Sequence, residues 1–357
     1  MGTNYGLIGC GGAGTNRHLP AVRANPRTSL RGVCDLDEER AVSVADDNDV
    51  ASYTDAEAMI ESEGLDAVSV ATPPPTHRDV LDDIVETGVD ILVEKPFATT
   101  ADDAREILEQ VGASQIVTEV NNQLFKPVVR RAGEAVDRGA VGTVRQVYTH
   151  SSLPDLEHFL NSHPDWITSI PGSVFGENLP HWIYLTRRFM GNSREVKTQV
   201  LGSTTHPDIN FDEIFAQLQG EDANGEIRMV VDATSSDFVV VVGDEGSLIV
   251  DLDNRVNYIV NSPSGAADVL RNNFLNSANI ARQTLGRAID HGLTVGLRKY
   301  GSQDNLSVMD KAYETDGHYQ QITEVVTRDG LTVKPTDIVN NVQTYQDIVR
   351  SINRPKN

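Results

Sequence analysis

The chain has 357 residues, 39% of them hydrophobic, and its 30 Lys+Arg against 52 Asp+Glu give a net charge of −22. That length predicts two domains, each with its own core, and no apolar run approaches the roughly 20 residues of a membrane span. A charge of −22 opposes nucleic-acid backbones, and the opening MGTNYGLIGC, which enters a strand without a charged leader, predicts no signal peptide.

The acids divide into 32 Asp and 20 Glu, the bases into 23 Arg and 7 Lys. Excess Asp with scarce Lys suits a salt-loaded cytoplasm, where screening cuts self-repulsion and hydrated carboxylates keep the surface soluble. An ordinary acidic enzyme is the alternative. Two cysteines, Cys10 and Cys34, are too few for a disulfide framework, so both are expected as reduced thiols in a cytoplasmic protein.

The first 120 residues alternate strand and helix patterns. Strands are expected at Tyr5–Ile8, Leu30–Cys34, Ala67–Ala71, Ile91–Val93 and Ile116–Val120. Helices are expected at Gly14–Ala24, Glu38–Asp46, Thr76–Thr87 and Ala101–Val111, with a capping box at Thr54–Glu57 opening another to about Glu63. This is the pattern of an α/β domain, a Rossmann-type doubly wound parallel sheet with helices on both faces. After residue 121 the texture changes. One helix, Val128–Arg138, leads into strands at Thr143–His150, Glu195–Thr204, Ile214–Gln219, Glu226–Ala233, Phe238–Val242, Ser247–Asp251 and Val256–Val260. Gly-containing turns between them predict antiparallel hairpins. Helices follow over Ala266–His291, Gly317–Thr327 and Ile338–Ile352. The division is thus 1–121 for a dinucleotide-binding domain and 122–357 for an α+β domain with a mostly antiparallel sheet.

Gly9-Cys10-Gly11-Gly12-Ala13-Gly14 fits G-x-G-x-x-G between the first strand and a helix. Gly9 permits the tight turn, Gly11 lets the backbone approach a pyrophosphate, and Gly14 lets helix pack on strand. The helix N-terminus would hold the phosphates; a turn without ligand is the plainer alternative. Asp35, at the end of the second strand, is placed to accept hydrogen bonds from ribose hydroxyls and to repel a 2′-phosphate, favouring NAD over NADP. A capping or solvated carboxylate is the other reading of Asp35, and Arg40 nearby would soften the NAD preference.

Two further patches carry a resemblance. Ala67–Ala71 runs into Thr72-Pro73-Pro74-Pro75-Thr76-His77, and Asp90–Val93 runs into Glu94-Lys95-Pro96-Phe97. With the glycine turn and Asn122-x-x-Phe125-x-Pro127, these resemble the Gfo/Idh/MocA family of NAD(P)-dependent oxidoreductases, although Leu124 replaces its usual Arg. The resemblance implies that Lys95 stands beside the nicotinamide and the reacting carbon, Glu94 near the cofactor ribose, and Thr72, Pro73, His77 and Asn122 along the cofactor. His77 as a capping side chain and His18, on the first helix, as a structural residue remain alternatives. In the second half the family's Asp-x-x-x-His matches Glu177-x-x-x-His181, with Glu in place of Asp, after a stretch (Pro171–Phe175) that matches its triple glycine only loosely. Side chains at i and i+4 share a helix face, so Glu177 would hold the His181 imidazole. Trp166 and Tyr184 either line a sugar-sized pocket or belong to the core.

The resemblance therefore implies a hydride transfer between a CH–OH group of a sugar, cyclitol or sugar derivative and NAD, or NADP. His181 is the expected general base and Lys95 the hydrogen-bond donor to the reacting oxygen. A homodimer or homotetramer is expected, with neither nucleic acid nor a membrane span as partner; a non-catalytic NAD(P)- or sugar-sensing regulator is the alternative. No metal-ligand spacing stands out, because His158, His163 and His206 are dispersed. One stretch breaks the acidic pattern: Arg271, Arg282, Arg287, Arg298 and Lys299 stand against one acid, Asp290. Phe274, Leu275, Ala278, Ala281, Leu285, Ala288 and Ile289 recur there at spacings of three and four, as in an amphipathic helix. It would pack on the sheet, form a subunit interface, or dock an anionic ligand or an acidic membrane surface.

Overall fold

The computed structural model describes residues 2–162, 166–202, 209, 211–261, 265–300, 313 and 316–352. They gather in two compact units, one drawn from Met1–Phe125 and His291–Val342, the other from Lys126–Asp290 and Gln343–Asn357. The Gly317–Thr327 helix and the first part of the Pro335–Ile352 helix thus pack within the unit that begins the chain. His163, His206, Ser203 and Thr204 fall outside the described residues, as do the side chains of Arg298 and Lys299.

The first unit is built on a six-stranded sheet, parallel throughout: β1 (Thr3–Ile8), β2 (Thr28–Cys34), β3 (Ala51–Tyr53), β4 (Ala67–Val70), β5 (Asp90–Val93) and β6 (Val117–Glu119), in the order β3-β2-β1-β4-β5-β6. β4 and β5 are buried at every residue, as strands covered on both faces must be. Tyr5, Ala67 and Leu92 meet Tyr319, Ile322 and Val325 of the Gly317–Thr327 helix in one core cluster. Val68, Ile91 and Val93 share another with Ile338 and Val342. The strand order reverses between β1 and β4, where ligands bind such sheets at the carboxyl ends of the strands.

Three local details differ from the expected pattern. The first helix is not α-helical from Gly14: Gly14–His18 is a π turn, followed by an α-helix over Leu19–Ala24. Pro20 has no N–H to continue the α ladder, and the Leu19 N–H reaches back to the Gly14 carbonyl instead. The cap of the Ala56–Glu63 helix is Asp55 rather than Thr54, its carboxylate accepting the Ala58 N–H at 2.9 Å. β3 is a three-residue strand, too short for its alternation to register.

The second unit carries a seven-stranded sheet: β7 (Val144–Leu153), β8 (Ser193–Leu201), β9 (Glu213–Gly220), β10 (Asn224–Val231), β11 (Phe238–Gly243), β12 (Gly246–Asp251) and β13 (Val256–Asn261), in the order β13-β12-β11-β7-β10-β9-β8. Only β7 and β10 pair in parallel; the other neighbours are antiparallel. β10 and β12 alternate buried with less buried residues, so one face of the sheet is covered. The helix Ser173–Met190 packs on β7 and β10, and the Thr149 and Thr186 hydroxyls meet at 2.7 Å. Short helices at Leu156–Ser162 and Trp166–Ser169, for which the residue pattern gives no clear period, follow β7. The last described helix before the C-terminal pair runs over Ala266–Tyr300, beyond the expected end at His291.

Candidate functional site

The glycine turn has the geometry its residues predict. Gly9 has φ +95°, and a Cβ there would lie 2.7 Å from the Ala71 backbone; a Cβ on Gly14 would strike the Gly9 carbonyl. In front of Gly11 the space is open to 4 Å, and the first-turn N–H groups at Gly12 and Ala13 follow it. Asp35 is tied to this turn. Its carboxylate accepts the Cys10 N–H at 2.8 Å and the Asp37 N–H at 3.0 Å, and Arg40 lies 3.3 Å away. Arg40 also pairs with Asp37 at 2.9 Å, so it is held over the Asp35 carboxylate by two acids. Asp37, not Asp35, caps the following helix. Burial pushes the Cys10 and Cys34 thiols up to about 12, keeping both protonated and unreactive.

At the carboxyl end of β5, Glu94 is almost fully buried, and its carboxylate is held by three donors. His18 Nε2 and His318 Nε2 each lie 3.1 Å from Oε1, and the Lys95 N–H lies 3.1 Å from Oε2. Burial alone would raise the Glu94 pKa, but the two histidines outweigh it and hold the carboxyl well below its usual range. His18 is fully buried; that burial lowers its pKa despite Glu94, so the imidazole stays neutral and donates from Nε2. Among the described residues, His18, Glu94 and His318 are the group whose ligand atoms come within reach of one ion, all within 4.8 Å of one another. Yet His18 Nδ1 is buried without a partner, whereas a ligating imidazole ordinarily donates its second N–H. The trio acts as a clamp on a carboxylate.

The neighbouring loop is fixed the same way. His77, fully buried, sets Nδ1 2.9 Å from the Pro96 carbonyl and Nε2 2.9 Å from the Thr72 carbonyl, joining the turn after β4 to the turn after β5. Its burial lowers its pKa more than the two carbonyls raise it, so a neutral ring donates to one of them at a time. Glu119, buried at the end of β6, accepts the Phe97 N–H at 2.8 Å, Asn121 Nδ2 at 2.9 Å and Asn341 Nδ2 at 3.0 Å. Lys95 stands half-buried between these anchors. Pro73 is exposed and Asn122 half-buried on the turns beside it, and Gly317 abuts the Asn122 backbone closely enough that a Cβ would lie 2.4 Å from its carbonyl.

In the second unit, Glu177 and His181 lie one turn apart on the Ser173–Met190 helix and are half-buried where its other residues are mostly buried. His181 Nδ1 meets the Tyr184 hydroxyl at 2.7 Å, with the two rings edge to face. Tyr184 itself is buried; Trp166 is half-buried at the start of its short helix. Tyr345 faces Glu177: burial and then the Glu177 charge push its hydroxyl pKa up. His318, Glu119, Asn341 and Tyr345 carry no motif. The acid ending the buried run Val117-Thr118-Glu119 was the only signal among them, since a carboxylate there needs donors.

The Thr72 hydroxyl, at the carboxyl end of β4, is buried without a partner. With the open space at Gly11 and the carboxylate lashed beside it, the first unit has the features of a dinucleotide-binding fold. A cavity of about 350 Å³ lined by Asp66, Asp90 and Arg328 lies at the opposite, amino ends of the strands.

Residues 3–121 match the model of the oxidoreductase family GFO_IDH_MocA, NAD-binding Rossmann fold, and residues 129–249 match a GFO/IDH/MocA C-terminal domain. The chain belongs to this family. It is 36% identical over 141 residues to the D-apiose dehydrogenase of Paraburkholderia graminis, covering 38% of this chain and 37% of that one. It is 30% identical over 165 residues to the D-xylose 1-dehydrogenase (NADP(+)) 2 of Haloferax volcanii, covering 45% and 50%. The matches thus span half or less of these relatives' own length. The WlbA dehydrogenase of Bordetella pertussis, solved with NADH and UDP-GlcNAcA, shares the fold with a TM-score of 0.74 at 17% identity, covering 98% of this chain and 96% of that one. No helix among the described residues is long and apolar enough to cross a membrane.

Proposed function

We propose that the protein is an NAD-dependent dehydrogenase acting on a CH–OH group of a sugar, cyclitol or sugar derivative. The observation that carries this reading is Lys95, set between the Glu94 clamp and the loop held by His77 and Glu119, at the carboxyl end of a buried strand in the family's nucleotide-binding unit. The relatives' activities on pentoses support the substrate class. Gly9, Gly11, Gly12, Ala13 and Gly14 would cradle the pyrophosphate, and Asp35 the adenosine ribose. Glu94, Thr72, Pro73, His77 and Asn122 would shape the turns along the nicotinamide half. Bound there, the nicotinamide supplies the hydride acceptor.

In this mechanism Lys95 donates a hydrogen bond to the reacting oxygen and stabilises developing alkoxide charge. His181 takes the hydroxyl proton at Nε2 while Nδ1–H is donated to the Tyr184 hydroxyl, which fixes the tautomer. Tyr184 would share in orienting the imidazole, and Glu177, on the same helix face, would hold the imidazole or bind a substrate hydroxyl. Residues 1–121, with the Gly317–Thr327 helix and the first part of the Pro335–Ile352 helix packed on them, would serve the cofactor, and the rest of 122–357 the substrate and the subunit contact. The test is absorbance at 340 nm with NAD and with NADP across a panel of neutral sugars and cyclitols. NAD is expected to be preferred, and Asp35→Ser to narrow the preference; better use of NADP by the wild type would transfer that role to Arg40. The Asp-rich, Lys-poor charge of −22 supports a salt-adapted cytoplasmic protein, whose melting temperature should rise between dilute and molar KCl.

A further inference from the structure

Two neighbouring helices of the second unit bring Lys126 level with His181. The Pro127–Asp137 helix lies beside the Ser173–Met190 helix: a Cβ on Gly133 would lie 2.6 Å from Arg188 Nη2, and Arg188 donates to Asp137 at 2.6 Å. Both helices run against the direction of β7. The first begins beside the start of β13, where Asn257 Nδ2 donates to the Val128 carbonyl at 3.0 Å, and the chain after it meets Gly243 at the opposite end of the sheet. In the second, Met190 reaches Gly220 at the amino end of β10, whereas Thr186 bonds to Thr149, well along β7. Lys126 and His181 each lie seven residues, about 10 Å of helix, ahead of the Gly133–Arg188 contact. Packed helix axes stand about 8–10 Å apart, so the two residues come side by side at the carboxyl end of β7.

Lys126 is half-buried there and makes no hydrogen bond to the described residues, so its N–H donors are open to a ligand. Asp237, half-buried in the turn before β11, is fixed beside it. Asp237 accepts the Ser152 N–H at 3.3 Å and a bond from the Ser151 side chain, and Asp253 holds its N–H at 2.9 Å. A carboxylate has about four acceptor sites, and these bonds occupy two. Burial, with Arg255 adding to it, holds the Lys126 ammonium below its ordinary pKa, and burial lifts the Asp237 carboxyl. Lys126 and Arg255 balance Asp237 and Asp253, so an anion would gain one lysine and meet two carboxylates. A hydroxyl suits this corner better, because it accepts from an ammonium and donates to a carboxylate at once.

We propose that Lys126 and Asp237 form a second anchor for the substrate, binding adjacent hydroxyls of a neutral sugar or cyclitol away from the carbon that reacts at His181. The anchor deepens the dehydrogenase reading and rests on it. Titration calorimetry in the presence of NADH reads it without turnover, using D-xylose, D-glucose, myo-inositol and the anionic D-glucuronate as probes. At least one neutral probe should bind wild type more tightly than D-glucuronate does. Lys126→Met and Asp237→Asn should each weaken that binding about tenfold or more, with circular dichroism retained, and Lys126→Arg should restore part of it. In turnover both variants should raise KM by more than they lower kcat, a split that a merely structural lysine would not produce. Unchanged affinity in both variants, D-glucuronate bound more tightly than every neutral probe, or no neutral probe bound at all would overturn the anchor. A neutral probe that is bound through Lys126 and Asp237 but never oxidised with NAD or NADP would support the anchor and break the dehydrogenase reading instead.

Discussion

The carboxyl ends of β5 and β6 and the helix Ser173–Met190 both set a carboxylate beside a candidate catalytic side chain, but they secure it in opposite ways. Around Lys95 two buried carboxylates, Glu94 and Glu119, collect donors from β-strand ends, the first helix and the C-terminal helices. Around His181, the Tyr184 hydroxyl comes from the same helix, and Glu177 and His181 are half-buried. A buried carboxylate with several donors cannot lose its charge or its partners cheaply. A half-exposed one can exchange partners with water. The first region should therefore answer mutation in stability as well as activity, the second in activity alone.

The largest effect is expected at Glu119. Glu119→Ala removes the carboxylate that accepts from the Phe97 N–H and two Asn amides at a buried site, and the loss should be roughly 3–5 kcal/mol in urea unfolding. A loss under about 1 kcal/mol would mean that water reaches those donors and that the loop is not anchored as described. Next comes acid. Burial holds His18 and His77 below their ordinary 6.5, so from there downward the unfolded chain binds protons that the folded chain refuses. Their contribution is intact above that value, and stability falls as pH drops below it, by about 1.4 kcal/mol per pH unit for each histidine. Glu94 adds in the same sense: its contribution, present above its unfolded pKa, is lost as pH falls through its lowered folded value. His18→Asn should flatten the slope between pH 6.5 and 5 relative to wild type, and an unchanged slope would show that His18 already takes up its proton in the fold. The smallest effect belongs to the second region. Tyr184→Phe should shift the pH–rate profile of kcat by a few tenths of a unit and lower kcat about threefold to tenfold, with melting unchanged. A profile identical to wild type would remove Tyr184 from the mechanism.

The difference between the two regions also explains what could be read in advance. The glycine turn, Asp35 and the buried runs before Thr72 and Glu94 are local patterns, and the parallel sheet follows from them. His318 and Asn341 reach their carboxylates across 224 and 222 residues, with no periodicity linking the partners. Pro20 was a readable sign of the π turn, because its missing N–H lies inside the expected helix. The Ala266–Tyr300 helix shows a different limit. Spacings of three and four group Phe274, Leu285 and Ile289 on one face, but they do not say whether that face turns inward. The decision was made by β13, whose open carbonyls take the amides of Asn276, Asn279 and Gln283.

The central claim is that Lys95 and His181 act in a hydride transfer, and single turnover tests it most directly. With NAD and the best substrate of the panel, Lys95→Ala and His181→Ala should each form NADH about 10²-fold more slowly than wild type or worse, with NADH binding and circular dichroism retained. Formation of NADH at near-wild-type rate by either folded variant would contradict the account.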